Sequence, residues 1–204
     1  AVREPEGDTL AEPSPQFPVK LGVVRVQAAD YRSLSAQPAG KGRFRVLAAD
    51  ELPDAAQLSA IAQWPVVRAV APLDQNLLAP PYESIDQLRL AAAKVQADLL
   101  LVYTVATHFV VQAGQVAPLA KLALGKLGDG EARIQATASA VLIDVRSGYR
   151  YPPLEASAQW AEPASAWTQV ADVERKRIAT ETQAVTRMLA ASEQRWRDIV
   201  GRHQ

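Results

Sequence analysis

The sequence predicts an α/β (α+β) domain in which a single mixed sheet is covered by helices, in the order β-β-α-β-α-β-β-β-α with a long C-terminal helix. Three observations predict it. Early strand-like runs alternate with helical stretches, a late series of strands turns back on itself, and the C-terminal stretch carries one continuous helical apolar stripe. At 204 residues the chain makes one domain, residues 18–204, preceded by a flexible tether over residues 1–17.

The tether, "AVREPEGDTLAEPSPQF", holds three Pro, three Glu and an Asp among few large apolar groups. Such a segment cannot bury enough surface to offset its ordering entropy. "VKLGVVRVQ" follows as a Val-rich first strand, then a loop containing "SAQPAGKG", then "RFRVLAA" as a second strand. "PDAAQLSAIAQW" reads as a helix that opens on Pro53 and spaces Leu58, Ile61 and Ala62 helically. "VVRAVAPL" is a short strand ended by Pro72. In "YESIDQLRLAAAKVQA", Ser84 caps a helix whose apolar stripe is Ile85, Leu88, Ala92 and Val95.

That helix runs into "DLLLVYTVATHFVVQ", the strongest strand signal in the chain. "EARIQATASAVLIDV" and "YRYPPLEASAQW" form a hairpin whose tip is Arg146-Ser147-Gly148, with Gly148 free to take a positive φ. Tyr149 and Tyr151 fall on one side of the returning strand. Pro152 and Pro153 make that strand an edge strand or one broken by a bulge, since proline cannot donate to a ladder. The C-terminal segment from Thr168 to Val200 is a helix with Ile178, Val185, Met188, Leu189, Trp196 and Ile199 on a common face.

Charge and composition exclude several functions. Lys+Arg and Asp+Glu both number 22, so there is no basic excess for nucleic acid. With no Cys, disulfides and thiolate metal sites are excluded, and no apolar run reaches the ~18 residues of a spanning helix. His108 and His203 lack the spacing of a metal pair, and His108 reads as a strand-end side chain. The glycines Gly125, Gly128 and Gly130 have neither Walker nor dinucleotide order and precede a strand. There is no nucleophile elbow, and Asp144 and Glu155 form a carboxylate pair only if the hairpin register permits it. Glu174–Arg177, "ERKR", reads as a solvated helix face supported by pairing with Glu181. No catalytic residue, metal or cofactor is expected.

Two regions point to contact with other molecules. Ala113–Gly130 is a long connection, and Val116, Leu119, Leu122, Leu124 and Leu127 make it an apolar flap over the sheet or an interaction surface. Trp160 and Trp167 bracket "AEPASA" between the last strand and the last helix, as interface anchors or as lids on the core. Tyr149 and Tyr151 at the hairpin complete the candidate contact set.

The helix ending in "AD" before an apolar strand ("LRLAAAKVQADLLLVYTVATHF"), together with a hairpin turn through Asp144, Arg146, Ser147 and Gly148, resembles a group of bacterial envelope lipoproteins. It is similar to the superfamily containing the curli-secretion lipoprotein and the outer-membrane activator lipoproteins of penicillin-binding proteins. The resemblance covers roughly residues 83–160. It implies a periplasm-facing, outer-membrane-anchored domain held by a lipid anchor, non-catalytic, acting by contact with an envelope protein and capable of forming a homo-oligomer. A module binding a small molecule or peptidoglycan fragment is the alternative, and a hydrolase a further one.

Overall fold

The computed structural model describes residues 12–28, 42–47, 59–73, 83–111, 115–117 and 131–203. Seven strands form one mixed sheet: β1 (Val19–Ala28), β2 (Phe44–Val46), β3 (Val67–Pro72), β4 (Leu99–Val111), β5 (Gln115–Ala117), β6 (Glu131–Asp144) and β7 (Leu154–Pro163). The main order is β2-β1-β4-β6-β7, with β3 on β1 and β5 on β4. Among the described residues two helices pack on it, α1 (Ile85–Lys94) and α2 (Val170–His203). The predicted mixed sheet and long C-terminal helix are both present.

β1 runs parallel to β4, from Leu21 opposite Leu99 to Arg25 opposite Tyr103, and parallel to β3. A strand covered on both faces should read as a near-continuous apolar run, and Val19, Leu21, Val23 and Val24 are all buried. From β4 onward the sheet is antiparallel. β4 and β6 pair along their length, from Leu99 opposite Asp144 to Val111 opposite Ala132. Among the described residues β7 pairs with β6 alone and forms the sheet's edge, beginning just after Pro152 and Pro153, as prolines require.

Alternation along β4 and β6 sorts side chains onto the two faces. Leu99, Leu101, Tyr103 and Val105, with Ala136, Ala138 and Ala140, meet Val185, Met188, Trp196 and Ile199 of α2. Leu100, Val102 and Ile143 turn the other way, onto Leu88, Ala91 and Ala92 of α1. The α1 N-terminus carries the expected Ser84 cap, completed as a capping box by Gln87. A third cluster, Phe109, Ala132, Ile134, Ala164, Trp167 and Val173, fills the far end under the first turns of α2.

The hairpin tip forms as expected. The Gly148 amide donates to the Asp144 carbonyl (2.9 Å), the Ser147 amide donates to Asp144 Oδ1 (2.6 Å), and Gly148 takes φ 78°. Tyr149 and Tyr151 lie edge to face, 5.0 Å between ring centres.

Three expectations need correction or relocation. Ile178 lies off the buried stripe at 38% exposure, because Val173 and Thr180 occupy the inward positions at that level. The predicted helix from Pro53 falls partly outside the described residues, and its described end is a 3₁₀ turn, Ala60–Gln63. In the long connection, β5 is an extra short strand on β4, with Val116 opposite Val110. Leu119, Leu122, Leu124 and Leu127 lie outside the described residues.

Candidate functional site

The strand directions give the domain two poles. At one pole, here proximal, lie the start of β4, the end of β6, the hairpin tip and the end of α2. At the other, distal, pole lie the end of β4, the start of β6, the end of β7 and the start of α2. β4 spans about 43 Å at ~3.3 Å per residue, and α2 about 51 Å at 1.5 Å per residue.

The N-terminal segment is fastened at the proximal pole. Of the expected tether, residues 12–17 lie against α2. Phe17 meets Trp196 edge-on at 5.7 Å between ring centres, Ser14 Oγ hydrogen-bonds His203 Nδ1 (3.0 Å), and Glu12 pairs with Arg202. Ser14–Gln16 also form one wall of an open groove of about 380 Å³. Asp98, Asp144 and Arg146 face the same groove. Asp98 Oδ2 accepts from the Lys20 amide (2.7 Å) and from Arg68 (3.3 Å). Asp144 is committed to the hairpin through Ser147, and Glu155 accepts from Ser139 (2.9 Å). The two carboxylates considered as a pair, Asp144 and Glu155, thus each serve a local turn or cross-strand contact. Beneath this region Tyr151 is 2% exposed, and its hydroxyl has no hydrogen-bond partner among the described residues. Burial first, then the nearby Asp144 carboxylate, pushes its pKa up to about 12.

At the distal pole the two candidate tryptophans part company. Trp167 is fully buried, edge-on to Phe109 at 5.1 Å, with Lys176 Nζ 4.7 Å from its ring centre. Trp160, on the same face of β7 as Glu162, is 39% exposed and donates from Nε1 to Glu162 Oε1 (2.8 Å). Lys176 bonds Glu162 and Asp172, the latter at 2.7 Å. Hydrogen bonding from Lys176 and then Trp160 holds the Glu162 carboxyl below its ordinary range, and Lys176 does the same for Asp172. Burial pulls the Lys176 ammonium down, but its bonds to Asp172 and Glu162 outweigh that and hold it above the usual lysine range. Trp160, Val170 and Ile178, three of the four large apolar side chains exposed among the described residues, lie in this distal half; Leu90 on α1 is the fourth. Of the candidate contact residues, Trp160 therefore meets solvent, whereas Tyr151 and Trp167 belong to the core.

Between the poles lies a feature that sequence reading missed. Glu181 is 2% exposed and Arg25, on β1, 5%. Arg25 Nη2 reaches Glu181 Oε2 at 3.3 Å, the Thr107 hydroxyl donates to Glu181 Oε1 at 2.7 Å, and Arg177 joins Glu181 to Glu174. Glu174–Arg177 is thus not a fully solvated face: Lys176 is buried, and Arg177, sparsely exposed, turns into a buried ionic belt. The belt separates the main core under α2 from the distal cluster. Burial alone would lower the Arg177 guanidinium, but Glu174 and Glu181 hold it above its ordinary value. The i,i+4 spacing of Arg177 and Glu181 was visible in sequence; the partners beneath them were not. Among the described residues no three His, Asp or Glu side chains converge as a metal site.

No family model matches the chain, and no curated protein sequence matches it. Solved structures do resemble it. A Xanthomonas campestris protein of the DUF330 family gives a TM-score of 0.42 at 15% identity, covering 93% of this chain and 91% of its own. A hypothetical protein from Chlamydia trachomatis gives 0.37 at 13%, covering 90% and 94%. A lipoprotein from Neisseria meningitidis gives 0.32 at 12%, covering 85% and 99%. At such identities and TM-scores these likenesses do not assign the chain to a family.

Proposed function

We propose that the chain is the non-catalytic, periplasm-facing domain of an outer-membrane lipoprotein that works by protein–protein contact. Its N-terminal segment holds it at the proximal pole and the distal pole meets an envelope partner. One observation carries this reading: the N-terminal segment is fastened beside the end of α2, whereas Trp160, Val170 and Ile178 are exposed in the opposite half. An exposed Trp beside fixed charges is the composition of an interface anchor. The sequence resemblance to envelope lipoproteins supports the same reading. The test is site-specific photocrosslinking in cells from positions 160 and 170, with position 90 as the control surface. Adducts confined to the distal positions are expected; no adduct, or equal adducts from position 90, would refute it.

The groove of about 380 Å³ at the proximal pole favours a second reading, a binding module for a small molecule or peptidoglycan fragment. Ligand-dependent thermal stabilisation abolished by Arg146→Ala would support it over the first.

A further inference from the structure

We infer that the fold carries tension between its two poles, with β1 loaded in shear. The use of this property rests on the two-pole reading above, but the property follows from the strand geometry. β1 enters at the proximal pole directly from the fastened segment 12–17 and runs toward the distal pole. It is parallel to β4 on one side and to β3 on another. Pulling residue 12 away from the distal pole therefore strains the β1–β4 hydrogen bonds together, along their strands. A peeling force would instead break such bonds one after another.

Side chains pin the strand at both ends of that contact. Near its start, the Lys20 amide donates to Asp98 Oδ2 (2.7 Å), the Asp98 amide donates to the Lys20 carbonyl (2.8 Å), and Lys20 Nζ donates to the Val95 carbonyl (2.6 Å). Near its end, Gln27 Nε2 donates to the Val105 carbonyl (3.1 Å), in line with the β1–β4 register. Arg25 reaches Glu181 at 3.3 Å, tying β1 to α2 across the layer boundary. The ionic belt is thus a cross-pin: sliding β1 would pull a buried guanidinium off its carboxylate, where no water replaces the lost partner. The contacts of segment 12–17 are different. Its ion pair and its Ser14–His203 bond are exposed, and exposed pairs are weak. Residues 12–16 yield first and release about 17 Å of chain, five residues at ~3.4 Å each, before Phe17, packed on Trp196, and β1 are loaded.

The test is single-molecule force spectroscopy on the full chain. The chain has no Cys, so introduced thiols give unique handles. Pulling through Ala1→Cys and Ala161→Cys loads residue 12 against the distal end of β7; pulling through Ala1→Cys and Gln204→Cys loads residue 12 against the end of α2, at one pole, and peels α2. Forced unfolding follows the unfolding barrier, so the pole-to-pole rupture force should exceed the same-pole force by at least about twofold. Arg25→Met with Glu181→Leu should lower the pole-to-pole force more than the same-pole force, because peeling α2 from its C-terminus meets this pair only after Trp196 and Ile199 have left the core. Equal forces in the two directions, or a double substitution that lowers both alike, would overturn the inference. The measurement needs no partner. Missing distal crosslinks with a twofold force ratio would sink the contact reading alone, and present crosslinks with equal forces would sink only this one.

Discussion

Glu181→Leu is the substitution that most directly tests the buried ionic belt. It removes a carboxylate whose side chain is 3% exposed and takes the Glu181 contact from Arg25, 4% exposed, beneath α2. Breaking a buried ion pair from one side costs about 3–5 kcal/mol, because the remaining charge loses that carboxylate in a low-dielectric site. The Thr107 hydroxyl also loses its acceptor, which adds about 1 kcal/mol. Arg177 keeps Glu174 and so adds little. The expected loss of about 4–6 kcal/mol is a large part of the 5–15 kcal/mol that holds a typical domain folded. Adding Arg25→Met should recover much of it, since an apolar pair of similar volume can replace a buried ion pair at little cost. Urea unfolding of the two single variants and the double variant closes the cycle, with the slope checked for two-state behaviour. A Glu181→Leu loss below ~1 kcal/mol, the value of exposed pairs, would refute the placement of this belt in the interior.

Four further outcomes follow from the same geometry. Trp167→Ala should cost about 3–5 kcal/mol in denaturant unfolding, as for a buried aromatic, while Trp160→Ala, at 39% exposure, should stay below about 1 kcal/mol; equal losses would contradict their different burial. Gly148→Ala should cost about 1–3 kcal/mol in thermal unfolding, because an L side chain is strained at φ 78° and its Cβ would meet the Arg89 guanidinium. Tyr151 has a folded pKa of about 12 against 10.0. Its contribution is therefore present below the ordinary tyrosine value and is lost as pH rises through about 12. Tyr151→Phe should remove that alkaline loss at near-neutral stability below it, because the hydroxyl gives up no bond; absorbance titration of the phenols checks it. Glu162 and Asp172 sit below their ordinary values of 4.5 and 3.8. Their contribution is present above those values and fades as pH falls through the depressed ones. Stability measured against pH should lose that acid limb in Lys176→Met.

Much of the fold was legible because its signals are local. The β4 run, the Ser84 cap and the Asp144–Gly148 turn each rest on residues within a few positions of one another. Their backbone preferences and hydrogen bonds act before any long-range contact forms. Pro152 and Pro153 announced the edge strand for the same reason, through the amides they lack.

What the sequence by itself determined, then, is the order of the long elements, the hairpin and the alternation that gives each strand an inner and an outer face. Tertiary structure decided which polar and aromatic side chains are inside. Trp160 and Trp167 are seven positions apart in similar surroundings, yet Phe109 covers one and solvent meets the other. Glu181 reads as one more charge on a polar helix until Arg25, 156 positions away, and Thr107, 74 positions away, arrive beneath it. Burial is a property of what packs across a side chain, and that partner comes from a distant part of the chain. No local periodicity carries it.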